Sequence, residues 1–189
     1  MKIGLLSDTH GSSLYFDKAM EILKDCDLLL HGGDILYHGP RNDLPEGYNP
    51  KELTEKLNST ANIIFAKGNC EADVDQMVLE HPIQAPYALA QIDEFIFVVN
   101  HGYTESKEVI IENAKKMNAD FLVLGHTHVK ELSFDESLII INPGSTSIPK
   151  DGTHSVAVVE ILPDEDNENE VNIDIDFYNI ETGEKIEKI

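Results

Sequence analysis

The sequence predicts a single domain of the α/β class. Short apolar segments alternate with amphipathic ones over roughly the first two thirds of the chain, and this alternation is typical of α/β proteins. The length of 189 residues suits one well-packed domain and is too short for two of ordinary size. Hydrophobic residues make up 41% of the chain, which is enough for a sizeable core. We therefore expect residues 1–189 to form one domain.

In the first part of the chain the pattern predicts a strand, a helix, a second strand, a long loop, a short helix and a third strand. Ser12 or Ser13 would cap the first helix. The long loop is predicted because residues 35–50 contain three prolines and two glycines. The core face of the first helix is expected to consist of Leu14, Met20, Ile22 and Leu23. The strands are predicted at residues 2–7, 27–31 and 62–66, the helices at residues 12–24 and 51–58, and the long loop at residues 35–50.

The second part predicts two paired strands, a helix, another strand and then a segment that is entirely β. The last two predicted strands are separated by residues 163–170, where five acidic residues indicate a solvated hairpin loop. The strands are predicted at residues 87–92, 95–100, 120–124, 129–133, 138–141, 155–162 and 171–178, and the helix at residues 105–117.

The composition excludes several classes of function. Acidic residues outnumber basic ones 35 to 14, and the formal charge of −21 argues against general nucleic-acid binding and against docking on an anionic membrane. The first apolar run ends at Ser7 and Asp8, too early for a signal peptide, and no segment approaches the ~20 apolar residues of a membrane helix. Cys26 and Cys70 suggest no disulfide framework, so we expect a cytoplasmic protein.

Five polar motifs each follow a predicted apolar strand. In open α/β sheets, ligands bind at the carboxyl ends of the strands, so these motifs are expected to converge on one edge. The D-x-H and H-x-H spacings would point both side chains to the same side of an extended chain. Any one motif alone is more often a turn or a structural histidine, but together they favour a metal site. The motifs are Asp8-Thr9-His10, Gly33-Asp34, Gly68-Asn69, His101-Gly102 and Gly125-His126-Thr127-His128.

The order of these motifs resembles the calcineurin-like metallophosphoesterase superfamily, and most closely its small bacterial YfcE-type phosphodiesterases. The pattern is D-x-H, G-D, G-N-x-[DE], a His-Gly pair and G-H-x-H. The resemblance extends over about residues 1–160. Further segments that look like this subgroup are residues 38–42, 44–48, 68–70, 74–77, 142–145 and 147–150.

The resemblance implies a four-layer α/β/β/α sandwich of two packed mixed sheets, and a site for two divalent metal ions. Asp34 would bridge the ions. The first ion would be held by Asp8, His10 and His128, and the second by Asn69, His101 and His126. Mixed imidazole, carboxylate and amide ligands suit Mn²⁺, Fe²⁺, Zn²⁺ or Ni²⁺ better than Mg²⁺ or Ca²⁺, and the resemblance favours Mn²⁺.

The implied activity is hydrolysis of small phosphodiesters, with a hydroxide held between the two metal ions as the nucleophile. A carboxylate shared by two ions about 3.5–4 Å apart is the arrangement of two-metal phosphatases. No Ser or Cys nucleophile is needed, so no covalent phosphoenzyme is expected. The catalytic residues would be Asp34, Asn69, His101 and Cys70. The resemblance also implies a homo-oligomer.

Cys70 departs from the wider family, in which many members carry a histidine after the Gly-Asn pair. It could be a small residue that lines the site, a thiolate stabilised by the metals, or an extra metal ligand. His38 and Arg41, in the long loop, could contact the substrate phosphate or be structural. We expect the remaining histidines (His31, His81 and His154) to be structural or exposed, and Cys26 to lie in the core.

Two alternative functions remain open from the sequence. One is a phosphomonoesterase or nucleotidase that uses the same site, which Cys70 mildly disfavours. The other is a metal-free protein-interaction module of the same fold, as in the retromer subunit that resembles these enzymes but lacks ligands. A complete set of seven ligand positions favours the enzyme.

Overall fold

A computed structural model of the chain describes residues 1–163 and 171–187. Within these residues the chain forms helices α1 to α4 and strands β1 to β11. The helices are α1 Ser13–Leu23, α2 Pro50–Ser59, α3 Asp73–Val78 and α4 Lys107–Lys116. The strands are β1 Lys2–Leu6, β2 Leu28–His31, β3 Ile63–Ala66, β4 Ile83–Gln84, β5 Ala88–Ile92, β6 Phe95–Asn100, β7 Phe121–Leu124, β8 Lys130–Asp135, β9 Leu138–Pro143, β10 Ser155–Pro163 and β11 Val171–Asn179.

The strands form two mixed sheets. The first has the order β11-β10-β1-β2-β3-β4, and the second has the order β5-β6-β7-β9-β8. In the first sheet β1, β2 and β3 are parallel, and in the second β6, β7 and β9 are parallel. The remaining long pairings are antiparallel, including the hairpins of β10 with β11 and β8 with β9. With the short β4, which pairs parallel to β3, the first sheet therefore has four parallel strands and the second has three, and the carboxyl ends of the parallel strands in each sheet point to one edge.

Three hydrophobic clusters hold four layers together. The first lies between the sheets and joins residues such as Leu5 and Leu30 to Phe97 and Phe121, whose rings stack at 4.3 Å between centroids. The second packs α1 and α2 on the outer face of the first sheet, and the third packs α4 on the outer face of the second. These layers confirm the predicted α/β/β/α sandwich.

The core face of α1 differs from the prediction. Phe16, Ala19 and Leu23 are its buried apolar residues together with Tyr15, whereas Leu14, Met20 and Ile22 are only partly buried. Positions 16, 19 and 23 fall on one side of a helix with 3.6 residues per turn, and this side meets the sheet. Ser12 is the cap, since its hydroxyl oxygen accepts a hydrogen bond from the amide of Tyr15 at 3.2 Å.

The sequence pattern missed α3 and β4, which contain six and two residues. Both are too short for a readable hydrophobic period. The predicted acidic loop at 163–170 lies, apart from Pro163, outside the described residues, although Pro163 and Val171 on either side of it pair in the β10–β11 hairpin. Cys26 is half-buried against the cluster under α1, less buried than predicted. Among the described residues, no helix is long and apolar enough to cross a membrane.

Candidate active site

The polar motifs converge at one edge of the molecule, as the strand pattern predicts. Asp8 and His10 follow β1, Asp34 follows β2 and Asn69 follows β3, all in the first sheet. His101, His126 and His128 follow β6 and β7 in the second sheet. Because both sheets present the carboxyl ends of their parallel strands here, residues as far apart along the chain as Asp8 and His128 meet.

The local geometry of the two D-x-H and H-x-H motifs differs from the prediction. Asp8, His10, His126 and His128 all have left-handed backbone conformations, with φ of 54°, 44°, 69° and 58°, so neither motif is extended chain. Asp34 is also left-handed, at φ 56°. Non-glycine residues adopt this conformation at an energetic cost, and residues strained in this way are concentrated at functional sites. The side chains therefore converge through tight turns rather than through strand alternation.

These turns are held by hydrogen bonds between the loops that follow β1 and β2. The amide of Asp8 donates to the carbonyl of Gly33 at 3.0 Å, and the amide of His10 donates to that of Asp34 at 3.0 Å. Gly33 itself has φ of 103°, a conformation that favours glycine. A Cβ atom on Gly68 would collide with the carboxylate and amide of Asp34, so this glycine lets the loop after β3 approach the loop after β2.

Two carboxylates and three imidazoles form a buried cluster at this edge. His128 Nε2 lies 3.1 Å from Asp8 Oδ1, and His101 Nε2 lies 3.3 Å from Asp34 Oδ2. His10 Nε2 lies between the two carboxylates, 3.7 Å from Asp8 Oδ1 and 3.7 Å from Asp34 Oδ2. The five donor atoms therefore surround a small shared volume.

Backbone carbonyls fix the orientation of the three imidazole rings. Nδ1 of His10 lies 2.8 Å from the carbonyl oxygen of Tyr37, Nδ1 of His101 lies 2.7 Å from that of Gly32, and Nδ1 of His128 lies 2.6 Å from that of Ile148. A proton on each Nδ1 satisfies these carbonyls and directs each Nε2 at the cluster. This arrangement is characteristic of histidines that bind metal ions.

Unpartnered buried atoms at the centre of the cluster fit a bound cation. Asp8 is fully buried, and its Oδ2 accepts hydrogen bonds from Ser7 Oγ at 2.6 Å and from the amide of His126 at 3.2 Å. Its Oδ1 and the Nε2 of His101 have no hydrogen-bond partner within the described part of the chain. Buried charges of this kind are normally paired or coordinate a metal. The residues therefore fit divalent metal ions.

The ionisation of the cluster reflects the proximity of opposite charges. Burial alone would raise the pKa of Asp8, but His128, whose Nε2 lies 3.1 Å from Asp8 Oδ1, and the other nearby imidazoles hold this pKa well below its ordinary value. Burial alone would lower the pKa of His101, but the carboxylates of Asp34 and Asp8 raise this pKa to about 9. Burial lowers the pKa of His10, and burial together with His101 lowers that of His126. The carboxylates are thus poised as anions.

Three combinations of side chains place their donor atoms close enough to share one ion. They are Asp8 with His10 and His128, Asp8 with Asp34 and His101, and His10 with Asp34 and Cys70. Asn69 and His126 lie at the rim of the cluster. Asn69 is exposed and donates its amide to Cys70 Sγ at 3.2 Å, and the ring of His126 lies 5.2 Å from that of His101.

Cys70 lies within reach of Asp34, whose Oδ1 accepts a hydrogen bond from its amide at 2.8 Å. Burial and the carboxylate of Asp34 raise the pKa of the Cys70 thiol well above its ordinary value. The thiol is therefore protonated in the absence of a metal. All three interpretations of Cys70 given above remain compatible with its position.

Glu71 is a buried carboxylate that the sequence reasoning did not assign. Its Oε1 accepts a hydrogen bond from the amide of Ile35 at 2.6 Å, and its Oε2 accepts bonds from the amides of Asp34, at 3.0 Å, and Gly68. It thereby ties the loop that carries Asp34 to the loop that carries Asn69. Burial and the charge of Asp34 raise its pKa to about 7, while the three amides favour its ionised form. The acidic position of the G-N-x-[DE] pattern is the signal that marks it.

The loop after β9 supports the turn at Asp8. The hydroxyls of Ser145 and Ser147 both donate to the carbonyl of Asp8, at 2.9 Å each. The amide of Thr146 donates to the carbonyl of Ser7 at 3.1 Å. Ser145 and Ser147, which belong to the segments 142–145 and 147–150 quoted above only for their resemblance, therefore hold the turn at Asp8 in place.

The cluster opens into a cavity of about 400 Å³. Asp34, Asn69, Cys70, His126 and His128 line one part of it, and Arg41 and Lys150 line another. His38 does not line this cavity among the described residues. Its ring packs against those of Tyr37 and Tyr48, with centroids 4.6 and 5.4 Å away. Lys150 was given no role from the sequence, although it closes the segment 147–150 quoted above.

The other histidines have structural contacts. His31 is fully buried, with Nε2 3.0 Å from the hydroxyl of Thr9 and Nδ1 accepting from the amide of Gly33 at 3.1 Å. His154 stacks on the ring of Tyr15 at 3.9 Å. His81 Nε2 lies 3.1 Å from the carbonyl of Thr60.

Comparisons with known proteins identify the family to which the chain is related. The family model of the calcineurin-like phosphoesterase superfamily domain matches residues 1–164. The chain is 39% identical over 156 residues to phosphodiesterase YfcE of Escherichia coli (strain K12), covering 80% of this chain and 83% of that protein. It is 29% identical over 166 residues to phosphodiesterase MJ0936 of Methanocaldococcus jannaschii, covering 80% and 91%.

Solved structures show the same fold. A structure of the phosphoesterase YfcE from E. coli matches with a TM-score of 0.79 and 32% identity, over 100% of this chain and 98% of that chain. Vacuolar protein sorting 29 from Cryptosporidium parvum matches with a TM-score of 0.62 at 18% identity, over 94% and 97%, and this likeness concerns the fold alone. The predicted family and fold are confirmed, and the chain belongs to the calcineurin-like phosphoesterase superfamily.

Proposed function

We propose that this protein is a metal-dependent phosphodiesterase that acts on small phosphodiesters. The observation that carries the proposal is the buried cluster of Asp8, Asp34, His10, His101 and His128, with three Nε2 atoms directed at two carboxylates. The names of its relatives, phosphodiesterase YfcE and phosphodiesterase MJ0936, support the same reaction class. A metal-free interaction module would have no use for such a costly buried cluster.

Asp34 would serve as a ligand to both of two divalent cations. Asp8, His10 and His128 would hold one of them, and Asn69, His101 and His126 would hold the other. Mixed nitrogen and oxygen donors favour Mn²⁺, with Fe²⁺, Zn²⁺ and Ni²⁺ as the other candidates. When bound, such cations lower the pKa of water and neutralise charge on phosphate oxygens.

The substrate phosphate is also oriented by two basic side chains of the protein. Arg41 and Lys150 both line the cavity that contains the metal-binding residues. In a protein with a formal charge of −21, two basic side chains at one cavity make it an attractive place for an anion. Arg41 can donate two parallel hydrogen bonds to phosphate, whereas Lys150 acts as a point charge.

The proposed reaction class is tested by a side-by-side assay of bis(4-nitrophenyl) phosphate and 4-nitrophenyl phosphate with Mn²⁺ present. We expect kcat/KM for the diester to exceed that for the monoester, as the reaction class named for the relatives implies. Preference for the monoester would favour the phosphomonoesterase alternative. Hydrolysis of neither ester with metal bound would contradict the proposal.

Cys70 is expected to be dispensable for aryl diesters. General acid catalysis contributes typically 10²–10⁴-fold, and phenolate leaving groups need little of it. Cys70→Ala should therefore keep kcat/KM for bis(4-nitrophenyl) phosphate within about threefold of the native value, a span of less than 1 kcal/mol in the barrier. Cys70→His should raise the ratio of alkyl to aryl diester hydrolysis, because the ring can protonate an alkoxide.

The measurement is kcat/KM for both ester types in the native, Ala and His forms, with bound metal quantified in each. If Cys70→Ala retains its metal but loses hydrolysis of aryl and alkyl esters alike, the thiol takes part directly in the reaction.

A further inference from the structure

A second cavity, of about 610 Å³, lies next to the metal-binding one. Its walls come from the loop after β2, from α2 and from α3, and its apolar surface includes Leu36, Tyr37, Tyr48, Val74 and Val78. Cys70 lines both cavities, so the two cavities adjoin at this residue.

The two cavities have different chemistry. Arg41 and Lys150 line the metal-binding cavity, whereas aromatic rings and aliphatic side chains dominate the second. A phosphodiester likewise has a charged part, its anionic phosphate, and two uncharged ester groups. The volume lies within the range of small-molecule sites, roughly 300–1,000 Å³.

We propose that the second cavity binds an aromatic or comparably apolar ester group of the substrate whose phosphate lies at the metal site. This proposal rests on the proposed phosphodiesterase function and names its substrate class. The specificity-determining residues are Tyr37, Tyr48, Thr54, Val74 and Val78.

The wall of this cavity is connected to the metal ligands. The carbonyl of Tyr37 lies 2.8 Å from Nδ1 of His10, so the backbone that carries the ring of Tyr37 is anchored to the cluster. Val74, Val78 and Tyr37 are 57%, 44% and 41% exposed, which leaves apolar surface for a ligand to cover. Burial of an aromatic group on such a surface strengthens binding by roughly ten- to a hundredfold.

The test measures binding, not turnover, with two phosphonates that share one anionic head group. The dissociation constants of 1-naphthylphosphonate and methylphosphonate are determined by calorimetry on the Mn²⁺-loaded protein. We expect the naphthyl compound to bind about ten- to a hundredfold more tightly. Thr54→Trp should fill the cavity from α2 and weaken binding of 1-naphthylphosphonate until its dissociation constant approaches that of methylphosphonate. The affinity for methylphosphonate should be unchanged.

Two variants control this result. Ser59→Trp adds the same ring to the exposed end of α2, outside the cavity, and should leave the naphthyl-to-methyl ratio as in the native protein. Val74→Ser removes apolar surface at an exposed position, so it should fold normally and lower the ratio several-fold, which keeps the proposal testable if Thr54→Trp misfolds.

Equal affinity for both phosphonates would overturn the assignment of this cavity while leaving the proposed function intact. Binding of neither, together with no hydrolysis of phosphodiesters, would overturn both. If Thr54→Trp abolishes self-association of the chain without changing the ratio, a second copy covers this surface and the proposal is wrong.

Discussion

Asp34→Asn should lower kcat/KM for phosphodiesters by roughly a thousandfold or more. Loss of a residue that merely supports a metal ligand costs about 10- to 100-fold, and Asp34 is proposed to contact both cations directly. Asparagine has nearly the same shape, and its oxygen can still accept the hydrogen bond from the amide of Cys70. The fold should therefore survive while metal affinity falls.

The measurement combines kcat/KM with the metal content of the purified variant and its melting temperature. Asp43→Asn provides the control, since it makes the same change of charge on an exposed loop residue outside the metal-binding cavity. An Asp34→Asn protein that keeps native activity and native metal content would show that Asp34 is not a shared ligand.

Glu71→Ala should reduce the free energy of unfolding by about 3–5 kcal/mol, because three buried backbone amides lose their acceptor. These amides belong to Asp34, Ile35 and Gly68. We further expect metal affinity to fall by about 10- to 100-fold, since Glu71 positions the loop that carries Asp34. Glu71→Gln keeps one acceptor oxygen, so it should give a smaller loss of both quantities.

The metal affinity of Glu71→Ala shows whether Glu71 positions the metal site or only stabilises the fold. The affinity is measured well below the melting temperature of the variant. The matched control is Glu112→Ala on the exposed face of α4, which should change stability by no more than about 0.5 kcal/mol. If Glu71→Ala melts earlier but binds metal as tightly as the native protein when folded, Glu71 supports the fold without positioning the site.

The layered fold and the edge that carries the site follow from features that are visible in the sequence. Buried parallel strands are continuous apolar runs, such as residues 121–124, and the polar residue that ends each run marks the edge where ligands collect. This is why residues as distant as Asp8 and His128 could be expected to meet.

The geometry within the site could not be predicted in the same way. Left-handed backbone at Asp8 and His10 is unfavourable locally, and it persists because their amides donate to Gly33 and Asp34, residues of another loop. Nothing in the segment 8–10 itself encodes those partners. The extended geometry assumed for D-x-H was wrong for this reason.

Glu71 illustrates a second limit of the sequence. It is one of 35 acidic residues, and only tertiary structure reveals that its carboxylate is buried against three amides. The helix α3 was missed for a different reason, because its six residues are too few to show a helical period.

The most direct test of the metal-dependent phosphodiesterase is a titration of the metal-free protein. After chelation and dialysis, Mn²⁺ is added in steps, and bound metal and hydrolysis of bis(4-nitrophenyl) phosphate are measured on the same samples. We predict no hydrolysis without metal and a rise to full activity as binding reaches two ions per chain, as expected for a two-metal site. Full activity in a sample verified to be free of metal would contradict the proposed function.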